Sequence, residues 1–333
     1  MTPRVSVCIP TYDYARYLSA AIDSVLAQDY GDYELIVVDN ASEDETPEVL
    51  ARYGDRIGAH RNERNLGLFG NFARCLELAA GELVKFLSAD DWLHPAFLRE
   101  ATALMDAHPS AAIVSGPGFY VDEDGQVFAV GTTGVLLPGL VPGAVALRAQ
   151  AEHLNVVGMP SNTLLRRSAL EAAGGFDARF APAADVHLWG KLLARHDLAW
   201  LPAPRSYLRI HRTKAHDYGL DPSESTFLAW EALGREVGPP VTHELVERAL
   251  DAEAERSALY VAAHLLAGRP GAARRIAAFT GRHVPWPRTA ARVARRLPAL
   301  ARAQLARAVA TRTGRLVVYA PLPRRGPPLP SAD

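Results

Sequence analysis

Length, composition and charge are those of an ordinary folded protein. The 333 residues are 49% hydrophobic and 22% charged, which excludes a disordered or fibrous chain. The net charge of −1 hides an asymmetry, because residues 269–333 contain 14 arginines and one acidic residue, whereas the preceding residues have 22 Lys and Arg against 36 Asp and Glu. With two cysteines, no recognisable secretion signal and no apolar run of about 18 residues, we expect a cytoplasmic protein without a transmembrane helix.

Strand and helix patterns alternate along the first part of the chain. Apolar and β-branched runs predict strands at Val5–Ile9, Glu34–Val38, Glu82–Leu87, Ile113–Ser115 and Gly118–Val121. Helical spacing predicts helices at Tyr17–Ala27, Asp44–Tyr53, Leu68–Ala79 and, beginning near Asp185, through Trp189–Leu193. This alternation is typical of a mostly parallel sheet, whose ligands bind beyond the carboxyl ends of the strands.

The sequence changes character near residue 220. From about residue 222 it becomes rich in Ala, Leu, Glu and Arg at helical spacing, with prolines as breaks. We therefore predict a first domain at 1–220, a helical, basic region at 221–320 and an unstructured, proline-rich tail at 321–333.

The basic region has amphipathic spacing and three possible roles. Its arginines alternate with apolar residues at Arg292, Arg295, Arg296, Arg302 and Arg307. Packing against the acidic first domain, contact with an anionic membrane surface and binding of nucleic acid are the alternatives. We favour packing within the chain, since the opposite charges nearly cancel. We expect no nucleic-acid partner, because no recognised binding motif accompanies the arginines.

Polar clusters follow three of the predicted strands. They are Thr11-Tyr12-Asp13, Asp39-Asn40 and Asp90-Asp91. No GxGxxG follows the first strand and no GxxxxGK[ST] loop is present, so a nicotinamide oxidoreductase and a P-loop NTPase lose their main support. Tyr12 is either a ring that stacks on a base or a core aromatic. Asp90 and Asp91 are either a solvated turn or a pair that a divalent cation would bridge to a diphosphate, relieving their repulsion.

Several segments, in order, resemble the family 2 glycosyltransferases of the GT-A fold. They are VSVCIPTYDYARYLSAAIDSVLAQDYGDYELIVVDNASEDET, RNLGLFGNFARCLELAAGELVKFLSADDWLHP, GGFDARFAPAADVHLWGKLL and YLRIH, within about residues 4–212. The resemblance implies an α/β, Rossmann-like nucleotide-diphospho-sugar transferase domain with a C-terminal α-helical appendage. It also implies inverting transfer of a sugar from a nucleotide-diphosphate donor to an acceptor hydroxyl.

The resemblance assigns roles to individual residues. The residues that would bind the donor are Pro10, Thr11, Tyr12, Asp39, Asn40, Asn65, Gly67 and Asp90. Asp91, Asp90 and His211 would hold a divalent metal, Mn²⁺ or Mg²⁺. Asp185 matches the general base, and a single base opposite the diphosphate implies inversion. A carboxylate that only interacts favourably with the start of a helix is the alternative for Asp185.

Two positions depart from the family pattern. Ser88 stands where the family often has the first Asp of Asp-x-Asp-Asp, which lowers the expected metal affinity, and Ala184 stands where it often has Glu. A non-catalytic nucleotide-sugar or glycan-binding member is therefore the alternative function. A glycoside hydrolase, with Asp90 and Asp185 as its two carboxylates, ranks below it.

The donor and acceptor are specified only in class. Asn40, where many relatives have Asp, favours a UDP- or dTDP-sugar over a GDP-sugar. The expected acceptor is a sugar, a lipid-linked molecule or a small molecule, in polysaccharide, glycoconjugate or natural-product biosynthesis. Peripheral membrane contact through the basic region would accompany a lipid-linked acceptor.

Overall fold

The computed structural model describes residues 2–131, 138–153, 155–211, 222–266, 268 and 270–293. The strands are β1 (Val5–Thr11), β2 (Tyr33–Asp39), β3 (Gly58–Arg61), β4 (Leu83–Phe86), β5 (Trp92–Leu93), β6 (Ala111–Ser115), β7 (Gly118–Val121), β8 (Val127–Gly131), β9 (Gly139–Val141), β10 (Leu164–Arg166), β11 (Asp197–Trp200) and β12 (Ser206–Arg209). The α-helices are α1 (Ala15–Leu26), α2 (Thr46–Ala51), α3 (Leu68–Leu78), α4 (Phe97–Ala107), α5 (Gly143–His153), α6 (Arg167–Ala172), α7 (Ala184–Leu193), α8 (Pro222–Glu236), α9 (His243–Leu266) and α10 (Pro270–His283). Single 3₁₀ turns lie at Gly54–Arg56, Pro160–Asn162 and Ala178–Phe180.

Within these residues the strands form two sheets. The larger has eight strands in the order β3-β2-β1-β4-β10-β6-β11-β9, and the smaller has the order β5-β12-β7-β8. β1 pairs in parallel with β2 and β4, whereas β10 is antiparallel to β4 and β6, and β9 to β11. The predicted alternation of strands and helices around a central sheet is confirmed, with antiparallel strands inserted after β4.

Burial on both faces explains the apolar strands. All seven residues of β1 are buried, which fits a central strand covered on both sides. α1 covers one face with the stripe Leu18, Ala21, Ile22 and Val25, whose spacing places these side chains on one side of the helix. The apolar positions of the predicted helix are thus the ones that the fold buries.

Some predicted boundaries were wrong, for local reasons. The first strand continues past Ile9 to Thr11. Proline cannot donate a hydrogen bond to a neighbouring strand, but β4 pairs with β1 only as far as Cys8, so Pro10 is bordered by β2 alone and the strand tolerates it. The helix expected from Asp44 begins at Thr46, since the Asp44 carboxylate accepts the backbone N–H of Thr46 at 3.1 Å. β3 was missed, because its exposed residues Gly58–Arg61 carry no apolar pattern.

The first helices of the C-terminal region share the core of the sheet. Trp230 and Leu233 of α8, 1% and 0% exposed, belong to the same hydrophobic cluster as Trp189 and Leu193 of α7. α9 packs against α5. The predicted boundary near residue 220 and the predicted tail at 321–333 lie outside the described residues.

The described part of the basic region pairs with acidic side chains of α9. Arg288 and Arg292 contact Asp251 at 2.6 and 3.2 Å, and Arg292 also pairs with Glu255. The other arginines of the predicted amphipathic segment lie outside the described residues. In the part of the chain that the structure describes, no helix is long and apolar enough to cross a bilayer.

Candidate active site

The carboxyl ends of β1 and β2 bring the first predicted donor-binding residues together. Thr11 and Asp39 are register partners at the ends of these parallel strands. The backbone N–H of Asn40 donates a 2.9 Å hydrogen bond to the Thr11 carbonyl oxygen, which joins the two loops. Tyr12 follows with 40% of its surface exposed. Together with Pro10, these residues lie at one edge of the sheet.

The Asp39 side chain is fixed within this edge. The residue is 1% exposed. One carboxylate oxygen accepts a 2.9 Å hydrogen bond from the Ser42 backbone N–H, and the other forms an ion pair with Arg61 at the end of β3. Arg61 was not among the predicted site residues, because β3 gave no strand signal. It is half exposed and determines the orientation of Asp39 from the rim of the site.

The Asn40 side chain joins β2 to the turn before α3. Its Nδ2 donates to Asn65 Oδ1 at 2.7 Å, and its Oδ1 accepts hydrogen bonds from Asn62 Nδ2 and the Leu66 N–H, both at 2.9 Å. Asn65 Oδ1 also accepts the N–H of Gly67, whose φ of 75° favours glycine. Asn40, Asn65 and Gly67 therefore form one polar turn, and the Asn40 amide is engaged within the protein.

The acidic pair follows β4, and its two carboxylates have different surroundings. Asp91 is 4% exposed and accepts a 2.8 Å hydrogen bond from the backbone N–H of Arg209. Burial, together with the charge of Asp90, raises the pKa of Asp91 to about 8. Asp90 Oδ2 lies 2.7 Å from His211 Nε2, although the two residues are 121 positions apart in the chain. The fold thus brings two of the three predicted metal ligands, Asp90 and His211, into contact, while Asp91 bonds to the Arg209 backbone.

The chemistry of this place suits a divalent cation, but the set of protein ligands is incomplete. Carboxylate oxygens bind Mn²⁺ and Mg²⁺, and an imidazole nitrogen also binds transition metals. Among the described residues, no three His, Cys, Asp or Glu side chains converge as a metal centre. One oxygen of Asp91 already accepts the Arg209 N–H. Asp90 and His211 are therefore the side chains best placed to bind a cation, with further ligands from a diphosphate.

Arg209 joins the acidic pair to the smaller sheet. Its Nε donates to the Asp90 carbonyl oxygen at 3.1 Å. Its guanidinium carbon lies 4.4 Å from the ring centre of Tyr17 and 5.2 Å from that of Trp92, within cation–π range. Trp92 in turn stacks on Tyr207, with ring centres 5.1 Å apart. Arg209 was not a predicted site residue, yet it holds the backbone of the acidic loop.

A buried lysine lies behind the same loop. Lys85 in β4 is 0% exposed, donates from Nζ to the Ser161 carbonyl oxygen and lies 4.3 Å from the centre of the Phe97 ring. Burial lowers the pKa of Lys85 well below its ordinary value. The Ser161 hydroxyl oxygen accepts the Ser88 backbone N–H at 3.0 Å. Lys85 and Ser161 thus position the start of the acidic loop at Ser88.

Asp185 lies in the first turn of α7 and is partly exposed. Its Oδ1 accepts the Val186 N–H at 2.8 Å, and its Oδ2 accepts Asn155 Nδ2 at 2.6 Å. Burial raises the pKa of Asp185 to about 6. Such a group is ionised at neutral pH but more basic than an exposed carboxylate, as a general base requires. Ala184, where the family often has Glu, is 0% exposed and faces the core.

Helix α8 holds the start of α7 in place. The Ser225 hydroxyl accepts the Ala183 N–H at 2.9 Å and donates to the Phe180 carbonyl oxygen. Further along α7, His187 Nε2 lies 3.0 Å from Glu236 Oε2. The C-terminal region therefore helps to position the helix that carries Asp185, a contact with no local sequence signal.

Comparison with known proteins identifies the family. The protein-family model described as "Glycosyl transferase family 2" matches residues 6–174. A protein of uncharacterized function from Mycobacterium tuberculosis is 31% identical over 220 residues, 62% of this chain and 67% of its own length. A putative glycosyltransferase of Bacillus subtilis, EpsE, is 31% identical over 160 residues, 45% of this chain and 58% of its own length.

Solved structures share the fold at low sequence identity. S. aureus TarS 1-349 in complex with UDP-GlcNAc has a TM-score of 0.56 at 17% identity, covering 82% of this chain and 90% of its own. The mannosyltransferase PcManGT from Pyrobaculum calidifontis, in complex with GDP-Man and Mn²⁺, has a TM-score of 0.56 at 20% identity, covering 90% of this chain and 81% of its own. These matches confirm the predicted GT-A-type α/β fold. In this chain α8–α10 follow the α/β part.

Proposed function

Because the chain belongs to glycosyltransferase family 2, we propose that it transfers a sugar from a nucleotide-diphosphate donor to an acceptor hydroxyl with inversion. Asp185 carries this proposal: it is a separate, hydrogen-bonded carboxylate whose pKa of about 6 suits a general base. The acidic pair Asp90-Asp91 at the end of β4 supplies the other half of such a site, since it suits a cation-bound diphosphate.

In the proposed step, Asp185 removes the acceptor proton. The acceptor oxygen forms a bond to the anomeric carbon while its proton passes to an oxygen of Asp185. The bond from that carbon to the diphosphate oxygen breaks, and its electron pair leaves with the diphosphate. General base catalysis of this kind contributes about 10²- to 10⁴-fold in rate. One displacement from the face opposite the leaving group gives a product of inverted configuration.

We propose that Asp90 and His211 hold a divalent cation, Mn²⁺ or Mg²⁺, with Asp91 beside them. When bound, such a cation neutralises the charge that develops on the leaving diphosphate. Support comes from the 2.7 Å contact between Asp90 and His211 and from the adjacent buried carboxylate. The Ser88 hydroxyl, in place of a family carboxylate, lies 3.2 Å from Ser161 Oγ, so it is engaged within the protein.

For the donor we propose a UDP- or dTDP-sugar bound at the sheet edge that contains Pro10, Thr11, Asp39 and Tyr12. The exposed Tyr12 ring supports base stacking there. Asn40 does not add support for UDP over GDP, because its amide already bonds to Asn65, Asn62 and Leu66. The base preference therefore stays a prediction for a ligand series to decide.

Thermal unfolding with UDP, dTDP and GDP, each with and without Mn²⁺, tests the donor site. A ligand at 100 times its Kd stabilises the native state by about 2.7 kcal/mol. We expect UDP or dTDP to raise the melting temperature most, and Mn²⁺ to increase that shift. A larger shift with GDP would contradict the base preference. No shift with any of these nucleotides, or with their sugar conjugates, would contradict the donor site.

Product analysis tests the reaction itself. With a donor sugar that binds and a panel of hydroxyl acceptors, proton NMR coupling constants should show an anomeric configuration opposite to that of the donor. A retained configuration would overturn the single displacement. Tight donor binding with no turnover across the panel would instead favour the non-catalytic, nucleotide-sugar-binding alternative.

We propose a cytoplasmic enzyme whose basic C-terminal region packs on its own chain. The pairing of Arg288 and Arg292 with Asp251 and Glu255 supports packing for the described start of that region. The acceptor is proposed as a sugar, a lipid-linked molecule or a small molecule. Binding of the full chain to anionic vesicles at physiological ionic strength would favour peripheral membrane contact over packing.

A further inference from the structure

We propose that Asn155 is a positioning residue for the general base, whose side-chain amide orients Asp185 and favours its ionised form. This inference rests on the proposed function, in which Asp185 accepts the acceptor proton. Asn155 precedes the 3₁₀ turn Pro160–Asn162 and lies outside the sequence segments that carry the family resemblance. Its role follows from contacts that the fold creates.

The Asn155 amide has one possible orientation. Its Nδ2 donates to Asp185 Oδ2 at 2.6 Å, while its Oδ1 accepts the Gly158 N–H at 3.0 Å. A flipped amide would place an oxygen against the carboxylate and an NH₂ against an N–H, losing both bonds. Gly158 adopts a φ of 91°, which favours glycine, and its carbonyl oxygen accepts Trp189 Nε1 at 2.9 Å.

These bonds link the segment that contains Asn155 and Gly158 to α7 at two points. Trp189 and Asp185 belong to the same helix, and both are bonded to the turn that contains Asn155 and Gly158. Trp189 is 0% exposed, so its hydrogen bond to Gly158 fixes this segment to the core. The position of Asn155 relative to the carboxylate is therefore fixed from two sides, which makes its hydrogen bond a directional support for Asp185.

The same segment also contacts the donor side of the site. The Val157 carbonyl oxygen accepts the Ser115 hydroxyl at 2.6 Å at the end of β6. Ser161 contacts Ser88 at the start of the acidic loop and accepts Lys85 Nζ on its carbonyl oxygen. Residues 155–161 thus connect the proposed base to the loop that leads to the acidic pair. This segment therefore helps to hold Asp185 in place relative to that loop.

Hydrogen bonds, more than charges, stabilise the ionised form of Asp185. Val186 N–H and Asn155 Nδ2 both donate to it and act against the effect of burial, which raises the pKa. The charged and titratable groups on α7 and on the elements packed against it are His187, Lys191, Asp177, Arg179, Glu224, Glu231, Arg235, Glu236, Arg148, Glu152, His153 and Asp197. Of these, His187 pairs with Glu236 and Arg179 with Asp177.

Two substitutions of Asn155 and one matched control test the inference. Asn155→Asp keeps the shape and an acceptor for the Gly158 N–H, but places a second carboxyl group against Asp185. Asn155→Ala removes the donor. The control is Gln150→Ala, because Gln150 is buried and donates to the Val186 carbonyl oxygen at 3.1 Å, which ties α5 to α7 without touching the Asp185 carboxylate.

The measurement is the pH profile of kcat/KM together with the Kd for the donor nucleotide. Loss of a hydrogen bond to a charged group should move the acid limb of the profile up by about one to two pH units in both Asn155 variants. Nucleotide Kd should stay within about threefold of the wild-type value, because the donor residues are untouched. Gln150→Ala should unfold at lower denaturant concentration but keep the wild-type acid limb.

Three outcomes would contradict the inference. An unchanged acid limb in Asn155→Asp, beside an inactive Asp185→Asn variant, would remove the role of Asn155 and leave the base in place. An equal displacement of the limb in Gln150→Ala would show general loosening of α7 rather than positioning. Near-wild-type turnover of Asp185→Asn would instead reject Asp185 as the base, which is the failure of the proposed function. If Asn155→Ala does not fold, the isosteric Asn155→Asp variant decides.

Discussion

Asp185→Asn should lower activity and change how stability depends on pH. The substitution keeps the size of the side chain but removes its ability to accept a proton, so turnover should fall by about 10²-fold or more. The burial that raises the pKa of Asp185 also makes its ionised form costly in the folded state. An amide in the same place does not ionise, so this cost disappears. Its NH₂ group, however, cannot accept a hydrogen bond, so one of the two bonds donated by Val186 and Asn155 is lost at every pH.

The free-energy cost of keeping Asp185 ionised in the folded protein follows from its two pKa values. In the unfolded chain the group ionises near its ordinary value of 3.8, and in the folded protein at about 6. Since the folded state holds its proton more tightly, wild-type stability decreases as pH rises from about 4 to about 6 and then levels off. The cost is roughly 1–2 kcal/mol at about pH 5 and about 3 kcal/mol at about pH 7.5.

Denaturant unfolding of both proteins at these two pH values measures the effect. The stability of Asp185→Asn relative to wild type should be more favourable by roughly 1 kcal/mol at the higher pH. Asp177→Asn is the control of opposite sign, because the hydrogen bond from Arg179 lowers the pKa of Asp177, and its stabilising effect is present at neutral pH. An Asp185→Asn protein whose stability relative to wild type does not increase between about pH 5 and about pH 7.5, or that retains turnover within tenfold of wild type, would refute the reasoning.

Four other substitutions test three separate parts of the structure. Asp90→Asn should abolish the extra thermal stabilisation that Mn²⁺ gives to bound UDP, and an undiminished Mn²⁺ effect would argue against Asp90 as a ligand. Gly190→Ala should cost about 1–3 kcal/mol in urea unfolding, since its Cβ would lie 2.4 Å from Leu233 Cδ1. Leu233→Ala, itself destabilising, should then cost less in the Gly190→Ala background than alone, and simple additivity would contradict the clash. Ser225→Ala should cost about 1–3 kcal/mol, because the Ala183 N–H loses its partner, and unchanged stability would show that this N–H bonds elsewhere.

The sequence was informative where position along a strand determines position in the fold. Parallel strands place their carboxyl ends at one edge, so Thr11, Asp39 and Asp90 could be grouped without a structure. The start of α7 at Ala184, next to Asp185, was also readable from helical spacing. The association of His211 with Asp90 came from the family resemblance, since no spacing rule relates residues 121 positions apart.

Supporting residues could not be predicted, because their contacts depend on tertiary packing. Arg61 lies on an exposed edge strand without apolar alternation, yet it orients Asp39. Lys85 stands in an apolar strand, and nothing local shows that its Nζ would reach Ser161. Asn155 sits in a segment without a motif. Each acts through a partner distant in sequence, whereas local patterns report only neighbours.

Composition suggested a separate helical region after residue 220, but the first helix of that region packs into the core of the larger sheet. A helix that only covered the surface would leave the core of the first domain complete, whereas Trp230 and Leu233 are buried in the same cluster as Trp189. Gly190 lets α8 approach α7 closely, since any larger side chain would meet Leu233. Ser225 then reaches the backbone two residues before Asp185. The orientation of the proposed base thus depends on residues from both sides of residue 220.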